Sequence, residues 1–295
     1  MHTDQLHIGE ATVRRLIDEQ FPQWRDAPVQ SLQTDATVNA IFRVGLGHSA
    51  RFPLQGNDPA SVQAELYREA AASRELVDHS SVPTPVPVAV GAPGHGYPLP
   101  WSVQTWIPGQ VASPAGAADS ADLARDLGVL ISRLRSADTR GRRFTGGGRG
   151  GILTDQDDWM ETCLRNSAGL VDVPGLRQLW AELRTTPAGA VDVMSHRDLI
   201  PPNLLVDNGR LTGVLDGGGF GPADPALDLI AGWHLLDADR RLILRETLGS
   251  DDREWQRGKG WAFAQAMGLA WYYRESNPGM SALGRSTLTR LLDAR

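Results

Sequence analysis

Three polar side chains in the second half of the chain have the types and order that phosphoryl transfer requires. The segment Ser195–Val206 contains Asp198 and Asn203, and Asp216 follows after two short apolar runs. Transfer of a phosphoryl group to a hydroxyl uses one carboxylate beside the acceptor. It also uses an amide and a second carboxylate that hold magnesium ions on the nucleotide phosphates. We therefore predict Asp198 as the catalytic residue, with Asn203 and Asp216 as metal ligands.

The residues between the two metal ligands predict a β-hairpin. Leu204–Val206 and Leu211–Leu215 are short apolar runs, and Asp207-Asn208-Gly209 between them is a turn sequence. This hairpin is expected to bring Asp216 back beside Asn203. A single His-x-Asp motif occurs often by chance, but a motif that continues into a hairpin and ends on an acid favours a kinase-type site.

The pattern resembles the aminoglycoside phosphotransferase family of small-molecule kinases, and the resemblance covers nearly the whole chain. Outside the catalytic segment it is carried by Trp101–Gly109, which is similar to the interlobe hinge of that family, and by Gly221–Leu229, similar to the loop after its metal ligand. Trp271–Pro278 is similar to a C-terminal segment of bacterial members. The resemblance implies an α+β, two-lobed, protein-kinase-like fold with a small β-rich N-terminal lobe and a mainly helical C-terminal lobe.

The periodicity of apolar residues agrees with a division at the hinge. We predict an N-terminal nucleotide-binding lobe over 1–106 and a C-terminal catalytic and acceptor-binding lobe over 107–295. The first lobe is expected to contain strands at Val29–Leu32, Asn39–Val44 and Ser49–Phe52 and a helix at Ser61–Val77. The second is expected to contain helices at Asp119–Ser136, Asp157–Asn166, Pro174–Leu183, Pro225–Leu236, Ala238–Leu248 and Arg253–Glu275.

Composition and charge limit the partners and the cellular location expected for this chain. Its 295 residues are 41% hydrophobic and 22% charged, with a net charge of -6, which argues against nucleic acid as a partner. Cys163 is the single cysteine, so no intrachain disulfide forms, and the polar start Met1–Gln5 lacks the regions of a signal peptide. We expect a cytoplasmic protein with no membrane partner.

The resemblance implies particular residues for nucleotide binding. Arg51 is the candidate third-strand cation that reaches the phosphates. Glu69 is its candidate partner and Glu65 the second choice; both lie on one helix face four residues apart, so the sequence alone does not separate them. The alternative for Arg51 is a strand-edge residue in water. The backbone groups of Thr105 and Ile107 are the expected adenine contacts. The hydroxyl of Thr37, in a turn without glycine, is an expected phosphate donor.

Three positions depart from the pattern of the family. Arg197 stands where Gly is common, Pro202 where Gly often precedes the Asn, and Gly217 where an aromatic residue often follows the metal Asp. Pro202, Gly217 and the absence of glycine from the first turn, 33–38, keep open an inactive, nucleotide-binding regulatory protein as an alternative function. We expect the glycine-rich run 146–151 to be a mobile connector, because it lacks the Gly-Lys-Ser/Thr ending of a phosphate loop.

Taken with the resemblance, these features predict an enzyme, an ATP-dependent O-phosphotransferase that uses Mg²⁺ and a small hydroxylated acceptor, with GTP as the alternative nucleotide. An aminoglycoside or related antibiotic is the first choice of acceptor, and a macrolide or a metabolite is the alternative. Acids of the helical lobe are either contacts for a cationic acceptor or helix caps and solvated residues: Asp155, Asp157, Asp158, Asp237, Asp239, Asp251, Asp252 and Glu275. We expect Asp224 and Asp228 to cap or support the following helix.

Overall fold

A computed structural model describes residues 6–32, 38–56, 58–146, 148–189 and 191–294, and these form two compact units. The first unit contains the chain up to Asp78, then Thr84–Pro108, and finally the short segment Asp216–Gly218. The second contains His79–Pro83, Gly109–Leu215 and the chain from Gly219 onward. The predicted boundary between residues 106 and 107 separates two functions as well as two lobes, and it stays a prediction.

The first unit is built on a five-stranded antiparallel sheet with the order β1-β2-β3-β5-β4. Its strands are β1 (Val29–Leu32), β2 (Asn39–Val44), β3 (His48–Pro53), β4 (Pro87–Gly91) and β5 (Trp101–Thr105), and its helices are α1 (Glu10–Gln20) and α2 (Pro59–His79). Strands β2 and β3 form a hairpin in which Val44 pairs with His48. Gly45 in this turn has φ of +59°, a conformation that glycine adopts at little cost.

The core of the first unit lies between α1 and one face of the sheet. Val13, Leu16 and Ile17 of α1 are fully buried, and their spacing places them on one face of the helix. The ring of Phe52 stacks on Trp101 with centroids 4.7 Å apart. Burial of each such side chain stabilises the fold by about 1.5–3 kcal/mol, so this core holds β3 and β5 rigidly.

The second unit is mainly helical. Its helices are α3 (Pro114–Ala117), α4 (Ala121–Arg135), α5 (Asp157–Asn166), α6 (Val173–Leu183), α7 (Ile230–Leu235), α8 (Ala238–Leu248), α9 (Asp252–Tyr272) and α10 (Pro278–Asp293). Its short strands form two small antiparallel sheets, β6-β8-β9 and β10-β7: β6 (Gln110–Val111), β7 (Val193–Ser195), β8 (Leu204–Asp207), β9 (Arg210–Val214) and β10 (Gly221–Ala223). The α+β fold class is thereby confirmed.

Helix α9 is the centre of the second unit. It is buried along most of its length, because small and apolar residues let neighbouring helices approach on several sides. At Gly284 of α10, an added Cβ would lie 2.7 Å from the backbone nitrogen of Ala270 and 2.8 Å from the carbonyl oxygen of Ala266. Only glycine therefore permits this close contact between α9 and α10.

The predicted hairpin is present as β8 and β9, with Asn208 and Gly209 at φ of +47° and +73° in the turn. Helices α5 and α8 have the predicted bounds, whereas α1 and α10 were not predicted. Among the described residues, no helix is both long enough and apolar enough to span a bilayer.

Candidate active site

The loop that carries Asp198 begins at the end of β7 and is held by a buried carboxylate. The Asp228 carboxylate accepts hydrogen bonds from the backbone N–H of His196 at 2.9 Å and of Arg197 at 3.1 Å. Asp228 therefore supports the catalytic loop as well as standing at the start of a helix, which extends the role expected from its sequence position. Arg197 has φ of +72°, a conformation that costs a non-glycine residue of order 1–3 kcal/mol, and the two bonds from Asp228 help to hold it.

His196 is fully buried and acts as a second support of this region. Its Nε2 lies 2.9 Å from the carbonyl oxygen of Leu215, to which it donates a hydrogen bond. The N–H of Leu215 in turn donates to the carbonyl oxygen of Asn203 at 2.8 Å. The end of β9 is thus bonded to the loop on both sides.

The Asp198 carboxylate is surrounded by three hydrogen-bond donors. Arg149 and Gln265 donate to its Oδ1 at 3.0 and 2.8 Å, and Asn203 donates to its Oδ2 at 3.0 Å. The Asp198 side chain nevertheless remains 39% exposed. Neither Arg149 nor Gln265 was predicted as a site residue.

Asn203 ends a short 3₁₀ turn, Pro201–Asn203, and its amide has a defined orientation. Its nitrogen donates to both the carbonyl and the carboxylate oxygen of Asp198, at 2.9 and 3.0 Å. Because both partners are acceptors, the Oδ1 atom must point away and is the atom left for a cation. A hard cation such as Mg²⁺ prefers oxygen ligands, so Asn203 fits the predicted role. The described residues contain no group of three or more His, Cys, Asp or Glu side chains able to hold a metal without further ligands.

The remaining predicted metal ligand, Asp216, lies in the first unit with the candidate nucleotide residues. The Arg51 guanidinium donates to its Oδ1 at 3.0 Å. Burial raises the pKa of Glu69, the positive charge of Arg51 opposes this rise, and Asp216 and Glu65 add to it. Glu65 itself forms an exposed ion pair with Arg68, so Glu69 is the better placed partner of Arg51.

The absence of an aromatic residue after Asp216 has a steric explanation. Asp216 has φ of +58°, and Gly217 follows so close to Leu76 that an added Cβ would clash with that side chain. At Gly218 an added Cβ would lie 3.0 Å from the Cβ of Glu69. Close packing against α2 therefore replaces the aromatic residue that the family often has here.

The hinge segment leaves particular backbone groups for a nucleotide. The N–H of Thr105 donates to the carbonyl oxygen of Val86 at 2.9 Å, so a base contact by Thr105 has to use its carbonyl. Within the described part of the chain, the N–H of Ile107 has no hydrogen-bond partner. Thr37 lies outside the described residues.

A buried ion pair and its backbone hydrogen bonds hold the last two residues of the glycine-rich run. Arg257 and Asp224 pair with each other and are both 4% exposed. Arg257 also donates to the carbonyl oxygen of Gly151 at 2.6 Å, and the N–H of Asp224 donates to that of Gly150 at 2.7 Å. These bonds anchor Gly150 and Gly151, whereas Gly147 lies outside the described residues and the expectation of a mobile connector stays a prediction.

Several acids considered as acceptor contacts have other partners. Asp237 and Asp251 accept hydrogen bonds at the N-termini of α8 and α9, where carboxylates satisfy otherwise unpaired N–H groups. Asp157 pairs with Arg184, whose guanidinium lowers the pKa of that carboxyl. These three acids are therefore structural.

Comparison with known proteins identifies the family to which this constellation belongs. The sequence model of APH, described as the phosphotransferase enzyme family, matches residues 34–261. The chain belongs to this family. The match includes both metal-ligand candidates and the Asp198 loop, and it makes the protein a kinase-type phosphotransferase. The predicted family is confirmed.

Solved structures of APH proteins share the fold of this chain at low sequence identity. The GDP complex of wild-type aminoglycoside 2'-phosphotransferase-IIIa is 19% identical with a TM-score of 0.68, covering 97% of this chain and 99% of the other. The GDP and kanamycin complex of APH(2")-IIia is 20% identical with a TM-score of 0.70 and coverages of 96% and 97%. Macrolide 2'-phosphotransferase MphH from Brachybacterium faecium is 16% identical, with a TM-score of 0.62 and coverages of 95% and 97%. The curated proteins contain no match.

Proposed function

We propose that this APH protein is an ATP-dependent O-phosphotransferase that modifies a hydroxyl of a small molecule. Asp198 would orient the acceptor hydroxyl and accept its proton, while transfer itself depends on positioning and charge neutralisation. The observation that supports this most directly is the orientation of the Asp198 carboxylate by three donors while part of it stays exposed.

The nucleotide is proposed to be ATP, with GTP as the alternative, bound with Mg²⁺. Mg²⁺ would neutralise the phosphates and hold them in line with the acceptor. Asn203 and Asp216 would each supply an oxygen ligand, and Arg51, supported by Glu69, would bind the phosphates. Related structures hold GDP in aminoglycoside 2'-phosphotransferase-IIIa and ADP in APH(2'')-Ib.

The remaining nucleotide contacts belong to the same proposal. The carbonyl of Thr105 and the N–H of Ile107 would bind the base, and Thr37 would donate to a phosphate. A cytoplasmic location, where ATP is abundant, would also suit the unpaired and buried Cys163.

The acceptor is proposed to be an aminoglycoside or a related antibiotic, which would make the protein a resistance enzyme. The net charge of -6 favours a cationic acceptor, and APH(2")-IIia was solved with kanamycin. A macrolide or a hydroxylated metabolite is the alternative acceptor, and macrolide phosphotransferases share the fold. An inactive regulatory protein is the alternative function, suggested by Pro202, Gly217 and the first turn without glycine.

A release assay tests the proposal. Purified protein would be incubated with MgATP or MgGTP and with aminoglycosides, macrolides and simple sugars in turn, and formation of the nucleoside diphosphate would be followed. Asp198→Asn is the matched inactive control. The proposal predicts acceptor-dependent release in the native protein only. Nucleotide binding without turnover for any acceptor or for water would favour the regulatory alternative.

A further inference from the structure

Gln265 is a buried amide in a helix that is otherwise lined with apolar side chains at this point. It is 4% exposed, and its neighbours Phe263, Ala264, Ala266 and Met267 are all buried. A buried amide is costly unless its polar atoms are paired, because it loses its hydrogen bonds to water. Its nitrogen is paired with Asp198 Oδ1 at 2.8 Å, across 67 residues of chain. The position of this buried amide beside the proposed catalytic carboxylate indicates that Gln265 has a role in the site.

Behind Gln265 lies a second buried polar group, the imidazole of His234 on α7. Its Nδ1 is 2.9 Å from the hydroxyl of Thr287, and the ring is fully buried. Burial, and to a lesser extent the charges of Arg149 and Arg290, lower the pKa of His234 to about 3, so the ring is neutral at physiological pH. Interaction with the Gln265 amide acts in the opposite direction, since it favours a proton on the ring.

The remaining polar atoms of these two side chains do not pair with each other. Gln265 Oε1 and His234 Nε2 are both buried, and neither has a hydrogen-bond partner among the described residues. The Thr287 hydroxyl donates its one proton to the carbonyl oxygen of Leu283 at 2.9 Å, so it accepts from Nδ1, and the neutral ring carries its proton there. The orientation of the Gln265 amide is therefore set by its contact with Asp198, because an amide oxygen facing that carboxylate would place two acceptors together.

We propose that Gln265 is a positioning residue for Asp198, whose carboxylate its amide nitrogen holds in one orientation. The proposal rests on the function proposed for Asp198. Arg149 and Gln265 together occupy Asp198 Oδ1, whereas Oδ2 receives only the bond from Asn203. The acceptor hydroxyl would therefore bind at Oδ2. Without Gln265 the carboxylate loses a fixed donor and gains rotational freedom, and a misplacement of about 1 Å costs a reaction as much as 10²-fold in rate.

The test compares Gln265→Leu and Gln265→Met with the native protein in steady-state MgATP hydrolysis, in which water replaces the acceptor. Gln265→Met keeps the approximate size of the side chain but removes the donor, so it remains informative if the leucine variant fails to fold. We expect kcat to fall about 10–100-fold in both variants with little change in KM for MgATP. In an Asp198→Asn background the same substitutions should have almost no further effect, because residues that act as a unit are not additive.

Ser281→Ala is the matched control. Ser281 is also buried and donates to the carbonyl oxygen of Ala270 at 2.7 Å, so this variant removes a polar contact of α9 without touching Asp198. An equal loss of kcat in Ser281→Ala would overturn the proposal, as would additive losses in the Asp198→Asn background or a kcat in Gln265→Met close to that of the native protein.

Failure of the proposed function would look different. In that case the native protein and Asp198→Asn would hydrolyse MgATP equally or not at all. The side-chain amide signal of Gln265 in ¹H–¹⁵N NMR would then decide: a shift in Asp198→Asn supports the positioning contact, and an unchanged signal overturns it.

Discussion

The buried ion pair between Arg257 and Asp224 allows a direct test of what stabilises the second unit against unfolding. We predict that Arg257→Met destabilises this unit by about 3–5 kcal/mol, the usual cost when one partner of a buried pair is removed and the other charge stays behind. Both side chains are 4% exposed, so water cannot replace the missing guanidinium. The same substitution also leaves the carbonyl oxygens of Thr186 and Gly151 without their donor.

The expected result is a large fall in the midpoint of thermal unfolding. A unit of this size loses roughly 2–4 °C per kcal/mol, so the midpoint should fall by about 6–20 °C. Far-UV circular dichroism and tryptophan fluorescence would follow unfolding, and urea titration would give the change in free energy.

Arg177→Met is the matched control for this experiment. Arg177 pairs with Glu161, but these side chains are 51% and 46% exposed, and an exposed pair contributes only about 0–1 kcal/mol. Equal losses in the two variants would refute the argument that burial sets the cost. In Arg257→Met combined with Asp224→Leu, part of the lost stability should return, because no unpaired charge remains.

Further predictions concern the proposed chemistry and the buried imidazole. Asp198→Ala should lower phosphoryl transfer by orders of magnitude while nucleotide binding survives, and near-native turnover in a steady-state assay would remove Asp198 from the site. Asn203→Ala and Asp216→Ala should each weaken the effect of magnesium on ATP affinity, which calorimetric titration with and without the metal measures; an undiminished magnesium effect would contradict the assignment. Because the pKa of His234 is lowered to about 3, its ring is protonated only on unfolding between that value and about 6.5. The unfolding free energy should therefore fall as the pH drops through this window, by at most about 1.4 kcal/mol per unit more than in His234→Asn, and parallel pH profiles would contradict this.

The parts of the site that sequence predicts are those defined by neighbours along the chain. The turn at Asn208-Gly209 identifies the β8–β9 hairpin because these residues adopt positive φ readily. The sequence contains a comparable local signal for helix α10, because Asn277 caps this helix and Pro278 begins it.

The contacts of Asp198 with Arg149 and Gln265 could not be predicted in this way. They join residues 49 and 67 positions apart, and nothing in their local sequence distinguishes them from a loop cation or a polar residue on a helix surface. The bonds from Asp228 to the loop backbone are likewise set by tertiary packing, while its position near a helix start indicated only local support.

The separation of Asp216–Gly218 from the rest of the first unit has a consequence for synthesis. These residues follow the segment Gly109–Leu215, which belongs to the second unit. A ribosome that adds about 5–20 residues per second needs roughly 5–20 s to produce that segment. During this delay Arg51 of the nascent sheet lacks its carboxylate partner, and Leu76 lacks the glycine that packs on it. The first unit to be translated is therefore completed only after most of the second has left the ribosome, and a gene fragment that ends at Pro108 encodes an unfinished unit.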